Sequence, residues 1–132
     1  MKRITLLICA LIVSIAGLFA QTTSQPSTID SIKFEKIIHD YGTIVQGADG
    51  NCEFKFTNNG KAPLLLSNVQ ASCGCTVPEW PKEPILPGKT SSIKVKYNTA
   101  IVGAFNKSIT VNSNAANNMV VLQIKGSVTP KQ

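Results

Sequence analysis

The chain has 132 residues, 13 basic against 7 acidic, a formal net charge of +6, and an aromatic content of 6%. That length fits one domain with a core of its own, so disulfides are not required as its main staples. Arg3 is the only arginine and the lysines are scattered, which argues against a nucleic-acid-binding face, where arginines and aromatics gather.

Met1-Lys2-Arg3 opens the chain, and an apolar run from Ile4 to Ala20 follows, broken only by Thr5, Ser14 and Gly17. A short positive region before a hydrophobic one is the form of a secretory signal. The run is shorter than the roughly 20 residues a spanning helix needs. Residues 1–20 therefore predict a cleaved signal peptide, with Ala20 before the cut and Gln21 as the new N-terminus. Cys9 is a poor lipoprotein site, because the bulky Ile8 precedes it. Loss of Lys2 and Arg3 takes the net charge from +6 to +4 and leaves three cysteines, Cys52, Cys73 and Cys75. An odd number implies at least one free or externally paired thiol in a compartment that permits disulfides. The expected location is the periplasm, the cell envelope or outside the cell, with no stable membrane span after processing.

Residues 21–31 are rich in Ser, Thr and Gln and read as a flexible spacer. Ile32, Phe34 and Lys36 alternate with Lys33 and Glu35 as a first strand. His39-Asp40-Tyr41-Gly42 interrupts it and Thr43-Ile44-Val45 resumes it. Asn51 to Thr57 alternates most cleanly, with Cys52, Phe54 and Phe56 on one face. Asn59-Gly60 is a two-residue hairpin signal, and Pro63 to Val69 reads as the partner strand, buried on both faces at Leu64-Leu65-Leu66. Pro78, Pro81, Pro84 and Pro87 exclude a central strand or helix after the cysteines. Ser92 to Asn98, Phe105 to Val111 and Met119 to Val128 complete the set, leaving 129–132 as a tail. Short strands joined by Gly, Pro and Asn turns predict an all-β sandwich over residues 32–128.

Three stretches carry a resemblance to a known family: Phe34 with His39-Asp40-Tyr41-Gly42, Phe54-Lys55-Phe56-Thr57-Asn58-Asn59-Gly60, and Ser72-Cys73-Gly74-Cys75-Thr76-Val77-Pro78 with the later Pro87-Gly88. Together they resemble domain-of-unknown-function family 1573, found in exported bacterial proteins and similar to the Hydin-type and major-sperm-protein-type domains. The resemblance implies an immunoglobulin-like, seven-stranded antiparallel β-sandwich and no established activity. Cys52 does not belong to the family motif.

The candidate chemistry centres on Cys73-Gly74-Cys75. In an extended strand the two Cα atoms would stand near twice the ~3.3 Å rise, at the upper limit for a disulfide, so a bond requires a local turn that Gly74 permits. Three readings follow: a turn-fixing disulfide or thiol pair without chemistry, a labile redox disulfide, or two thiolates on a soft ion such as Cu(I). No metal site is assigned, because the mature chain has one histidine and one methionine to complete it. Cys52, beside Phe54 and Phe56, reads as a buried free thiol. The Asn59-Gly60 turn would set it opposite Ser67, about 20 Å from Cys73 at ~3.3 Å per residue. His39 and Asp40 lack a placed nucleophile and read as a hydrogen-bond network at a strand bend. Trp80, between Pro78 and Pro81, either caps the sandwich or presents a stiff aromatic as an interaction surface.

No catalytic residue and no cofactor is assigned. The expected function is an exported, non-catalytic immunoglobulin-like interaction module whose partner is an envelope protein or a glycan. A thiol redox or soft-metal protein using Cys73 and Cys75, and a structural envelope component, are the alternatives.

Overall fold

The computed structural model describes residues 31–132. The expected signal peptide with Cys9, and all of the expected spacer except Ser31, lie outside the described residues. Eight strands follow in order: β1 Ile32–Phe34, β2 Ile38–Val45, β3 Asn51–Asn58, β4 Leu66–Ala71, β5 Thr76–Glu79, β6 Thr90–Tyr97, β7 Gly103–Ser113 and β8 Met119–Thr129. They form two four-stranded sheets, β1-β3-β6-β5 and β2-β8-β7-β4. No helix among the described residues is long and apolar enough to cross a membrane.

The period-two pattern builds the core directly. Phe54 and Phe56 of β3 and Ile93, Val95 and Tyr97 of β6 face inward from the first sheet. Phe105, Ile109 and Val111 of β7 and Leu122, Ile124 and Val128 of β8 meet them from the second. Burying each large apolar side chain contributes roughly 2–3 kcal/mol. The outward positions of β3 and β6 carry Glu53, Lys55, Lys94 and Lys96, which remain exposed.

Three expectations are corrected by the pairing. The described residues form eight strands rather than seven: the expected first strand is two, with β1 paired to β3 in one sheet and β2 in the other, and β5 adds a strand after the cysteines. The sandwich is also not wholly antiparallel, since β2 runs parallel to β8. Parallel neighbours need a long connection, and β2 and β8 are separated by the whole middle of the chain. Finally, Asn59-Gly60 does not close a hairpin. β3 pairs with β1 and β6, and β4 lies in the opposite sheet. The Asn58 side chain, 1% exposed, instead knots the crossing: its Nδ2 donates to the carbonyls of Ala62 and Ile85, and its Oδ1 accepts from the Gly60 N–H. The leucine run consequently alternates, with Leu64 and Leu66 buried and Leu65 exposed.

β5 is an edge strand, consistent with its proline. Its backbone bonds to β6 continue the Asn98 N–H to Cys75 carbonyl bond, so Val77 and Glu79 face β6 while Pro78 faces the free edge. The N–H that proline lacks is one the sheet does not use, and its absence blunts that edge against a further strand. On the opposite sheet, the β2 register shifts between Asp40 and Thr43. Gly42 adopts φ +63° there, and its N–H donates to Asp40 Oδ1 at 2.8 Å. This bulge turns Tyr41 toward the interior, where its hydroxyl donates to the Gly50 carbonyl at 2.7 Å.

Candidate functional site

The Ser72-Cys73-Gly74-Cys75 segment carries the chain from β4 in one sheet to β5 in the other. Its first residue is held by β7: the Ser72 N–H donates to the Ser108 carbonyl at 2.9 Å, and Ser72 Oγ accepts from the Ser108 N–H at 3.2 Å. Its last residue is held by β6 through the Cys75 carbonyl, which accepts from the Asn98 N–H at 2.8 Å. Between these anchors the backbone turns, with the Thr76 N–H reaching back to the Cys73 carbonyl. The turn draws the Cα atoms of Cys73 and Cys75 to 5.3 Å and the two sulfurs are bonded. Gly74 makes it without a positive φ, so the turn does not depend on glycine's left-handed freedom.

Both cysteines are half-buried and Gly74 is exposed. Thr76, 3% exposed, lies beneath them, its Oγ1 3.9 Å from the Cys73 sulfur and 3.8 Å from that of Cys75. A hollow of about 590 Å³ opens beside the pair. Gly74 and Cys75 line one wall, and Asp49, Gly50, Asn51, Tyr97 and Asn98 line others.

Cys52 is free and half-buried. It stands opposite Val95 of β6, not Ser67, which corrects the register expected from the hairpin. Pro78 pairs with the same Val95 from the other side. Cys75 is therefore about 10 Å across, two strand spacings, and about 10 Å along from Cys52, nearer than the expected separation but beyond disulfide reach. Tyr41 is the hydrogen-bonding neighbour of Cys52. Burial raises the Cys52 thiol above its ordinary value, opposed by the Tyr41 hydroxyl and Lys36. Burial likewise raises Tyr41, with Cys52 and Asp49 adding to the shift. His39 packs edge-on to Tyr41 at 4.5 Å, and desolvation followed by Lys36 lowers its affinity for a proton while Asp40 opposes. This arrangement packs a corner of the sandwich. Among the described residues no group of three or more His, Cys, Asp or Glu side chains gathers to hold a metal ion.

Trp80 follows β5 and is half-buried against the core. Lys82 Nζ lies 2.9 Å from its ring centroid, a cation–π contact. A shallow groove of about 440 Å³ runs beside it, lined by Pro78, Glu79, Lys82, Ser92 and Lys94 among others.

A sequence profile for the family described as "Protein of unknown function (DUF1573)" matches residues 32–128. The chain belongs to this family. No curated protein matches it in sequence. Among solved structures it is similar to a protein of unknown function from Porphyromonas gingivalis W83, with a TM-score of 0.68 and 14% identity over 79% of this chain. The chain spans about half of that protein, 50% of its length. It is also similar to PapD-like domain 7 of human CEP192, with a TM-score of 0.65 and 10% identity, covering 90% of this chain and 98% of that one. The CsuC–CsuE chaperone–tip adhesion subunit complex of Acinetobacter baumannii matches at 0.55 and 9% identity, over 75% of this chain and 57% of that one. At these identities the likeness establishes the fold, an immunoglobulin-like, PapD-like β-sandwich.

Sequence reasoning had singled out Cys52, Cys73, Cys75 and Trp80. The structure puts Cys73 and Cys75 together, sets Cys52 at a separate packed position beside Tyr41, and leaves Trp80 just past the other end of β5. Thr76 was missed as a partner of the sulfurs. Its signal was present, since a hydroxyl one residue after the second cysteine lies within reach once the chain turns.

Proposed function

We propose that the protein is an exported, non-catalytic interaction module that holds an envelope protein or a glycan against the solvent face of β5 and β6, beside Trp80. The observation that carries this reading is the groove beside Trp80. It sets a stiff aromatic among charged and hydroxyl groups of both donor and acceptor character: Lys82, Lys94, Glu79 and Ser92. Pro78 blunts the adjacent free edge of β5, so a partner on this face engages side chains rather than adding a strand. Val77, 57% exposed, extends the apolar part of that surface. The fold likeness to chaperones of exported subunits supports the same class of role and an extracytoplasmic place.

Export rests on the N-terminal pattern of Met1-Lys2-Arg3 and the apolar run to Ala20. Mass spectrometry of the protein from its native envelope is expected to find a chain that begins at Gln21. An intact Met1 in that fraction would refute processing. For binding, the chain is used as bait in an envelope extract with chemical crosslinking. Trp80→Ala should lose the captured partner at a temperature where the variant is still folded, its melting temperature being lowered by the core packing that Trp80 gives up. Capture that survives Trp80→Ala rejects this surface, and no capture at all leaves the structural-component reading in its place.

A further inference from the structure

The Cys73–Cys75 bond stands apart from the groove at Trp80 and combines three features that a turn-fixing staple does not need. The bridge spans a sequence separation of only 2. Closing so short a loop removes little freedom from the unfolded chain, so the fold gains little from keeping the bond. The bond is also approachable. Nothing lies within 4 Å of the position a Gly74 Cβ would take, and the solvent-open hollow beside the pair is lined by Gly74 and Cys75.

Beneath the pair, the nearly buried Thr76 hydroxyl is within 3.9 Å of both sulfurs. A neutral disulfide gains little from a hydroxyl donor, whereas a thiolate gains a charge-assisted hydrogen bond.

We propose that Cys73–Cys75 is an exchangeable disulfide that oxidises exported dithiols, with Thr76 as the hydroxyl that stabilises the thiolate leaving from it. A thiolate of the incoming dithiol enters by the hollow and attacks the Cys75 sulfur. The Cys73–Cys75 bond breaks and Cys73 departs with the electron pair, accepting a hydrogen bond from Thr76 Oγ1. The second thiolate of the same molecule then attacks its own sulfur in the mixed disulfide and releases Cys75. Two electrons pass from the dithiol to the pair, the partner gains one disulfide, and its two protons end on Cys73 and Cys75. Cys52 takes no part, since it lies beyond bonding distance beside Tyr41.

The test equilibrates the full chain with glutathione buffers of graded reduced-to-oxidised ratio, quenches with an alkylating reagent, and quantifies the tryptic peptide between Lys61 and Lys82 by mass spectrometry. That peptide contains Cys73 and Cys75 and neither of the other cysteines. Both forms are expected in buffers in which exported oxidoreductases are themselves mixtures. A pair that stays fully oxidised there is a structural staple and the proposal fails. Thr76→Val, which keeps the side-chain volume, should slow reduction by glutathione about tenfold, the weight of one charge-assisted hydrogen bond. Thr76→Ser should restore a rate near that of the parent. Equal rates in parent and Thr76→Val would remove Thr76 from the reaction. If Thr76→Val does not melt like the parent, the equilibrium measurement on the parent chain decides the exchange by itself.

Discussion

Strand β3 and the Ser72–Cys75 crossover each carry cysteine, and they are built by different rules. Along β3, alternation decides everything: Cys52, Phe54, Phe56 and Asn58 face in, while Glu53 and Lys55 face out. Neighbours on both sides, β1 and β6, hold it in the middle of a sheet. The crossover belongs to neither sheet. It is pinned at Ser72 by β7 and at Cys75 by β6, and its side chains meet solvent between these pins. A thiol on β3 is therefore packed and raised in pKa, whereas the crossover presents its sulfurs beside an open hollow. The same element has opposite uses in the two places: filler in one, accessible chemistry in the other.

The contrast is sharpest in stability. Phe54→Ala, at a site with no exposure, should cost about 3–5 kcal/mol in urea unfolding, through lost transfer and a cavity among Ile93 and its neighbours. A much smaller loss would mean that the β3 face collapses easily and is not the rigid side of the comparison. Asn58→Ala comes next, at about 2–4 kcal/mol, because the Ala62 carbonyl and the Gly60 N–H lose their partner while the Ile85 carbonyl keeps only the Leu64 N–H. A near-neutral result would show water replacing the side chain at the sheet crossing.

Removing the bridge is expected to matter less. The double variant Cys73→Ser, Cys75→Ser should lower stability by about 1.5 kcal/mol, the chain-entropy value for so short a loop. A loss that rivals Phe54→Ala would make the crossover a structural staple and erase the distinction from β3. The smallest change is expected at Cys52→Ala, about 1 kcal/mol of lost packing. In the native parent, the Cys52 thiol should label slowly with a thiol reagent at neutral pH and rapidly in denaturant. Fast native labelling would place Cys52 in the same accessible class as the crossover.

The family motif and the alternating runs make much of the fold legible in the sequence. The inward faces of β3 and β6 follow from side-chain alternation alone, as does the exclusion of a central strand at the prolines. The bend at His39-Asp40-Tyr41-Gly42 was visible as an interruption, but its consequence was not. The Asp40–Gly42 bulge sends Tyr41 inward to Gly50 and Cys52, a meeting of β2 with β3 across the two sheets. The Asn59-Gly60 signal misled because a favourable turn dipeptide reports local backbone preference, and the buried Asn58 beside it was recruited to a different task.

Periodicity is a property of neighbouring residues, so the sequence alone determined which side chains of β3 and β6 are inside, and that residues 32–128 form an all-β domain of the matched family. Choice of partner strand is a property of the whole chain, because each pairing must close a loop and bury a face at the same time. Tertiary structure alone therefore decided that β1 and β2 part into separate sheets, that β2 lies parallel to β8, and that β3 and β4 never pair. The same choice carries Cys73 and Cys75 across the open end between sheets, above Thr76. No local pattern of residues 72–76 could specify that position, because the anchors that hold it, Ser108 and Asn98, come from strands far along the chain.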